Sequence, residues 1–331
     1  MLIEAVKLIV SLAIILLGAE VFTNSVEWLG RKLKLGDGAV GSVFAAVGTA
    51  LPETLVPIIA IFSSGQGSAG HDVGIGAILG APFMLATLAM VVTGLTAIIK
   101  RRNNEPLNID TGVIIRDMRF FMVVYTVAIL ATFLPGWPLK AVIAGALVFA
   151  YIFYVYKTIR SSMGQGGREE NPSPLYLSRK SAEPRLAVVL IQLAAGLGLI
   201  ITGAFIFVGS VQVVATVLGV PVLVLSLIIT PIATELPEKF NSIIWMSRGK
   251  DTLALGNITG AMVFQSSIIP AIGIILPEWK LEPIGLISAV LAMGAIIFQY
   301  TGAAGKHGLR PVHLLAGALF YAVFIVAVIV I

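Results

Sequence analysis

Two short segments put acids where an oily chain should have none. Residues 49–54 read Thr-Ala-Leu-Pro-Glu-Thr and residues 234–239 read Thr-Glu-Leu-Pro-Glu-Lys, each inside a run otherwise apolar enough to cross a bilayer. Proline has no N–H, and its ring clashes with the carbonyl four residues earlier, so Pro52 and Pro237 should free backbone oxygens near Gly48 and Ala233. In lipid, such irregular backbone survives only where it faces protein or a wet cavity. An ionised glutamate costs at least ~2.5 kcal/mol at the bilayer centre. A bound cation answers both demands.

The spacing says which cation chemistry. Thr49 with Glu53, and Thr234 with Glu238, stand four apart and so share a helix face, presenting hydroxyl, carboxylate and loosened carbonyls together. This is an all-oxygen set of the kind hard cations prefer: Ca2+ takes about six to eight oxygens, and two carboxylates neutralise a divalent ion. Without the ion the two acids repel, and one tends to take up a proton. Competition between metal and proton is therefore built into the motif.

Other residues join or border this site. Asn257, Ala261 and Gln265 are spaced by four, so two amides can reach a central point from one helix. Their counterparts in the first half, Ala77, Ala81 and Leu85, are apolar, so polar ligation leans toward the second half. Gly76 with Gly80, and Gly256 with Gly260, form small-xxx-small patterns whose simpler reading is close helix packing. Glu235 and Lys239 admit two readings. They form an i,i+4 pair with the acid N-terminal, the favourable order, or Glu235 is a third site carboxylate and Lys239 an internal cation standing in for a transported one. The pair is the simpler reading, because an unpartnered ammonium inside a span is costly. Glu20, the three histidines and the glycine-rich stretch 65–70 lack ligand spacing or a phosphate-loop ending and are read as structural.

These residues must be positioned by membrane helices. The chain has 331 residues, 58% hydrophobic and 12% charged, with mean hydropathy +1.00, whereas soluble domains carry about 25% charged residues. It has no cysteine, which excludes disulfides, thiolate metal sites and cysteine nucleophiles. Apolar runs of about 20 residues or more fit helical spans, not barrel strands of about 10. Ten spans are expected, near 2–26, 38–63, 72–98, 112–134, 138–158, 186–212, 217–246, 251–276, 283–301 and 310–331. Trp28, Trp137, Trp245 and Trp279 fall at their ends, where indoles favour the headgroup layer. Residues 159–184, rich in Gly, Pro, Ser and charge, read as a mobile loop between two five-helix units, 1–158 and 185–331.

The two units resemble each other. Residues 18–26 align with 203–211 at an offset of 185, and the same offset lays Thr49, Leu51, Pro52 and Glu53 on Thr234, Leu236, Pro237 and Glu238. Five is odd, so the second unit enters the membrane from the opposite side, giving the inverted repeats of many secondary transporters. Arginine and lysine crowd the connections after odd-numbered spans, while the other side holds Lys7, Lys140 and Lys280. The middle loop is thus expected in the cytoplasm and both termini outside.

With its Gly-Thr-Ala-Leu-Pro-Glu at 48–53 and Ala-Thr-Glu-Leu-Pro-Glu at 233–238, each followed by a Gly-x-x-x-Gly helix at 76–80 and 256–260, the chain resembles the Ca2+/cation antiporter superfamily. The likeness is greatest to sodium/calcium exchangers, whose two repeats carry G-T-S-L-P-E and then G-N-x-x-G-S-N. The resemblance implies that Glu53 and Glu238 are the central cation-binding carboxylates and that Thr49 and Thr234 lend oxygens to flanking ions. The motif serines are replaced by Ala50, Glu235, Ala81 and Ala261, and Leu85 and Gln265 stand where Asn or Asp is typical. Loss of those hydroxyls puts multi-sodium stoichiometry in question more than the central divalent site.

The expectation is therefore an all-α membrane protein that exchanges Ca2+ or a related divalent cation against Na+ or H+ by alternating access. Its metal-binding candidates are Glu53, Glu238, Thr49, Thr234, Glu235, Gln265 and Asn257, and its partners are the bilayer and inorganic cations. No cofactor and no nucleic acid are expected, and a monomer is compatible with this reading. The alternative within transport is a diverged, proton-coupled carrier that does not use Na+. A channel requires a continuous polar path, whereas opposed proline-broken helices favour alternating access. An intramembrane protease requires paired in-span aspartates or Ser/His, and every aspartate is expected near a connection.

Overall fold

The computed structural model describes residues 2–32, 51–63, 68–101, 104–162, 173–179, 181–275 and 279–330. Among them there are helices and turns but no strand. The helices are α1 (Leu2–Lys32), α2 (Leu51–Ser63), α3 (Ser68–Met84), α4 (Met90–Arg101), α5 (Thr111–Leu130), α6 (Trp137–Ser162) and α7 (Leu186–Leu218). They continue with α8 (Val222–Thr234), α9 (Leu236–Ser247), α10 (Asp251–Ile275), α11 (Pro283–Ala304), α12 (Pro311–Leu315) and α13 (Gly317–Val330). A π-helical turn, Leu85–Ala89, joins α3 to α4 without ending the rod.

Seven helical stretches among the described residues are long and apolar enough to cross a bilayer, and Pro52–Phe62 and Val222–Ile232 are shorter apolar helices. The chain is a multi-pass, all-helical membrane protein. Helix α5 is not among the seven, because Arg116, Asp117 and Arg119 interrupt its apolar run. Residues 38–50 of the second expected span, Thr49 among them, lie outside the described residues.

Helices α1 and α7 run antiparallel in close contact, which glycine makes feasible. A Cβ on Gly18 would stand 2.9 Å from the Ile200 nitrogen, and one on Gly196 would stand 2.7 Å from the Phe22 nitrogen. Gly203 likewise faces Ser11 and Ile15. At the end where α1 finishes and α7 begins, the contact becomes polar. Buried Gln192 donates to Asn24 Oδ1 and Ser25 Oγ at 2.9 Å, and its Oε1 accepts from the Leu177 amide at 2.8 Å.

That last bond reaches into the stretch expected to be a mobile loop. Residues 173–179 are instead docked. The Ser173 carbonyl accepts from Asn24 Nδ2 and Trp28 Nε1, Leu175 is fully buried, and the Tyr176 hydroxyl donates to Glu20 at 2.6 Å. This bond to Glu20 holds the Tyr176 phenol above its usual pKa. Composition suggested mobility, but three backbone or hydroxyl groups here have found partners on α1 and α7, and such pairing outweighs a loop-like composition.

Two of the four tryptophans also depart from expectation. Trp137 is exposed at the start of α6, as a headgroup-layer indole should be. Trp28 and Trp279 are buried in protein, their indole N–H groups donating to the Ser173 and Ala128 carbonyls. An indole donor satisfied by a nearby carbonyl has no need of the interface. His313 lies within the short helix α12, where its Nδ1 accepts from the Arg310 amide at 2.9 Å.

The central packing pair is α3 on α8. A Cβ on Gly76 would come within 2.8 Å of the Leu223 oxygen and Ser226 Cβ, and one on Gly80 would fall on the Leu227 carbonyl oxygen. Leu227 is the residue whose carbonyl loses its helical donor, because Pro231 lies four residues on. The matching glycines of α10, Gly256 and Gly260, have nothing within 4 Å of a built Cβ among the described residues. Among the described residues, close packing is thus seen for the first pair. We expect Gly80→Val to lower stability by about 1–3 kcal/mol through overpacking, while Gly198→Ala, with open space around its Cβ, should be nearly neutral. Thermal unfolding in detergent checks both, and equal midpoints would remove the packing argument.

Candidate cation site at an interrupted helix

The second acidic segment is where helix geometry fails. Helix α8 ends at Thr234, Glu235 takes φ −99° and ψ 8°, and α9 resumes at Leu236 with Pro237 in its first turn. Pro237 cannot donate back to Ala233, so the ladder breaks where the sequence anticipates it. The Glu235 amide bonds to the Pro231 carbonyl at 3.2 Å and the Lys239 amide to the Glu235 carbonyl at 3.1 Å. This break overturns the shared helix face expected from four-residue spacing. Thr234 and Glu238 belong to different helices, so they do not share one continuous face.

Glu235 is fully buried and held by two side chains. Lys239 Nζ lies 3.3 Å from its Oε2, and Gln265 Nε2, on α10, donates to its Oε1 at 3.3 Å. The same ammonium donates to the Pro231 carbonyl at 3.2 Å. The i,i+4 pair anticipated from sequence is present. Gln265 is itself 2% exposed, and its Oε1 has no hydrogen-bond partner among the described residues. A buried amide oxygen left in this way calls for an explanation, an unseen ion or water being the usual one.

Thr234 is buried, and its hydroxyl donates to the Thr230 carbonyl at 3.1 Å. It ends a stripe that sequence reasoning overlooked. Ser226, Thr230 and Thr234 are spaced by four along α8 and all are buried. Ser226 and Thr230 hydroxyls are 3.0 Å apart, and Ser226 donates to the Val73 carbonyl of α3 at 2.7 Å. Periodicity alone could have found this stripe, since three hydroxyls on one face of an apolar helix form a pattern as regular as the glycines.

The remaining candidates are distributed as follows. Glu53 is 6% exposed on α2, a helix that touches both α8 and α10. Glu238 lies in the first turns of α9, and its side chain is outside the described residues. Asn257 is half-buried and donates to Ser242 of α9 at 3.1 Å. Ala77, Ala81 and Leu85 are all buried, so the first-half counterpart of this wall is indeed apolar. At Leu85 the rod becomes π-helical, and the Ala86 carbonyl of that turn accepts from Gln299 of α11 at 2.9 Å.

A second polar cluster braces α10. Asp117 of α5, expected near a connection, is 2% exposed. It accepts from Tyr154 of α6 at 2.7 Å and from Thr259 of α10 at 2.9 Å, and it pairs with Arg116 at 3.2 Å. Thr259 lies between Asn257 and Gln265 in sequence, so this carboxylate fixes the helix that delivers the Gln265 amide. No local pattern announces it, because its partners come from three helices.

A family model described as sodium/calcium exchanger protein matches residues 3–160 and 188–331, nearly the whole chain. The chain belongs to that family. Among relatives of this exchanger-family protein, a putative antiporter, CaxA, of Alkalimonas amylolytica is 26% identical over 284 residues, covering 83% of this chain and 82% of that one. The crystal structure of an H+/Ca2+ exchanger, CAX, superposes with a TM-score of 0.75 at 17% identity, covering 98% of this chain and 82% of that chain. A sodium–calcium exchanger, NCX_Mj, soaked with Na+ and Sr2+, gives a TM-score of 0.58 at 20% identity, covering 100% and 99%. These structural likenesses establish a shared fold.

Within the exchanger-family pattern, the two positions where the second repeat departs most visibly are Glu235, in place of a serine, and Gln265, in place of Asn or Asp. They are bonded to each other. Glu235 and Gln265 thus form one local unit. For the α10 brace, replacing Thr259 by valine keeps the shape and deletes one hydrogen bond to a charged group, worth ~1.5–3 kcal/mol. A lowered thermal midpoint is expected, and an unchanged one would show that α10 is not held through Asp117.

Proposed function

We propose that this protein is a secondary antiporter that exchanges Ca2+ or a related divalent cation against Na+ or H+, with alternating access to a site at the α8–α9 interruption. The observation that carries this reading is the buried Glu53 carboxylate on α2, a helix in contact with both α8 and α10, the helices that carry the buried oxygens of Thr234 and Gln265. Membership of the sodium/calcium exchanger family supports it. In this reading Glu53 and Glu238 bind the divalent ion. Thr49 and Thr234 lend oxygens, Asn257 lines the approach, and the Gln265 Oε1 faces the ion. Glu235, balanced by Lys239, sets the local field.

The same reading includes ten spans arranged as two inverted five-helix units, with the middle loop cytoplasmic and both termini outside. Its structural support is the pairing of Gly18 with Gly203, equivalent at an offset of 185, which face each other's helices across the antiparallel α1–α7 contact. A carrier built from such repeats exposes one midplane site to each side in turn. A single copy of the chain supplies every residue this mechanism uses.

Glu53→Gln and Glu238→Gln each remove one charged ligand, an interaction worth about 1.5–3 kcal/mol, so divalent affinity should fall roughly ten- to hundredfold. Uptake of 45Ca2+ into everted membrane vesicles measures this, and undiminished uptake by both variants would discard the site. The coupling ion is decided in the same vesicles by replacing Na+ with choline under an imposed pH gradient. Persisting uptake identifies the proton as the exchanged ion, and loss identifies sodium.

A further inference from the structure

We propose that the Lys239 ammonium is a built-in monovalent cation: it fills an oxygen-lined subsite formed by the Pro231 carbonyl and the Glu235 carboxylate, so that no mobile ion is needed there. The inference rests on reading the α8–α9 interruption as a cation site and adds which of its positions is permanently occupied.

The geometry differs from that of a surface ion pair. Lys239 Nζ has two oxygen contacts, one to carboxylate at 3.3 Å and one to a backbone carbonyl at 3.2 Å. Its side chain is only 14% exposed and that of Glu235 not at all. An ordinary helical i,i+4 pair uses the carboxylate alone and sits in water. Here the ammonium also draws on a carbonyl at the end of an interrupted helix, where unwound backbone and helix ends coordinate small cations in transporters. Na+ and an ammonium carry the same charge and both take oxygen ligands, but the ammonium is tethered and cannot be transported.

The placement is confined to one half. The offset of 185 lays Glu235 on Ala50 and Lys239 on Thr54, so the first unit has neither charge. A pair that only solved a local folding problem would need no carbonyl contact and no buried amide. The acid here is also fixed by Gln265, whose Oε1 remains buried without a hydrogen-bond partner among the described residues. Acid, amide and ammonium are therefore aligned along one polar wall. A fixed ammonium in this wall supplies a positive charge at every stage of a transport cycle.

The test asks whether a diffusible ion can replace the tethered one. Wild type, Lys239→Met and the double variant E235S/K239M are purified in detergent, and thermal midpoints are compared in NaCl and choline chloride at equal ionic strength. Lys239→Met should gain a Na+-dependent rise in Tm of a few degrees beyond that of wild type, because Na+ stabilises a folded state that offers it a site. The double variant, lacking the carboxylate, should lose that gain.

An equal Na+ effect in Lys239→Met and wild type overturns the proposal, as does a gain that persists in the double variant. So does a Lys239→Met protein that is unfolded in both salts while E235S/K239M folds, since the lysine then only balances a buried acid. Failure of both variants to fold in either salt overturns it too, because the lysine is then a structural requirement that no ion can meet. This readout is independent of divalent transport. Undiminished uptake by both Glu53→Gln and Glu238→Gln defeats the wider site assignment, whereas loss of uptake there with no Na+ gain in Lys239→Met defeats the present inference alone.

Discussion

A carboxylate in the interior of a membrane bundle must find its partners within the protein, because lipid offers none. At Glu235 that requirement shapes everything nearby. The acid sits at the one residue where α8 and α9 are not continuous, and the break is forced by a proline two residues later. An ammonium one turn on and an amide from α10 complete its surroundings. Breaking such a buried pair typically costs about 3–5 kcal/mol, while forming it gains little, since desolvation opposes attraction. The arrangement therefore contributes little to net stability, and its value lies in fixing charge at a defined place.

The apolar framework holds these groups in position by two means. Where polar atoms must be brought close, glycine removes the side chain: α3 lies on α8 with Gly80 against the Leu227 carbonyl. Elsewhere a continuous apolar core built from α3 through α6, α8, α10, α11 and α13 gives rigidity. A smaller cluster, including Ile15, Val56, Val73 and Phe207, ties α2 and α3 to the α1–α7 pair. The π-helical turn at Leu85–Ala89 is stabilised from outside its own helix, through Gln299. Such turns survive where a neighbour satisfies the displaced carbonyl.

Local chemistry explains what could be read in advance. Proline at 237, the acid–lysine spacing of 235 and 239, and the apolar character of Ala77, Ala81 and Leu85 depend on residues within a turn or two of each other, and all are legible in sequence. Gln265 was legible as a side chain facing a common point, but its partner was not, because Glu235 is remote in sequence. The Asp117 cluster, the docking of Ser173–Tyr176 and the burial of Trp28 and Trp279 depend on pairings across 37 to 149 or more residues. Periodicity cannot see these. The Ser226–Thr230–Thr234 stripe is different, because its four-residue spacing on an apolar helix is a wholly local signal.

The α1–α7 contact has a mechanical side. Its polar bonds are gathered at one end, around Asn24, Ser25, Gln192 and the docked Ser173–Leu177 segment. Beyond Gly18 and Gly203 apolar side chains such as Ile15, Ala204, Phe207 and Val211 fill much of the contact, and such surfaces slide over one another at small expense. Any shear between them is therefore pinned at the clasped end and grows with distance from it, as in a lever about a fulcrum. The clasp thus makes that end of the α1–α7 pair the stiffer one.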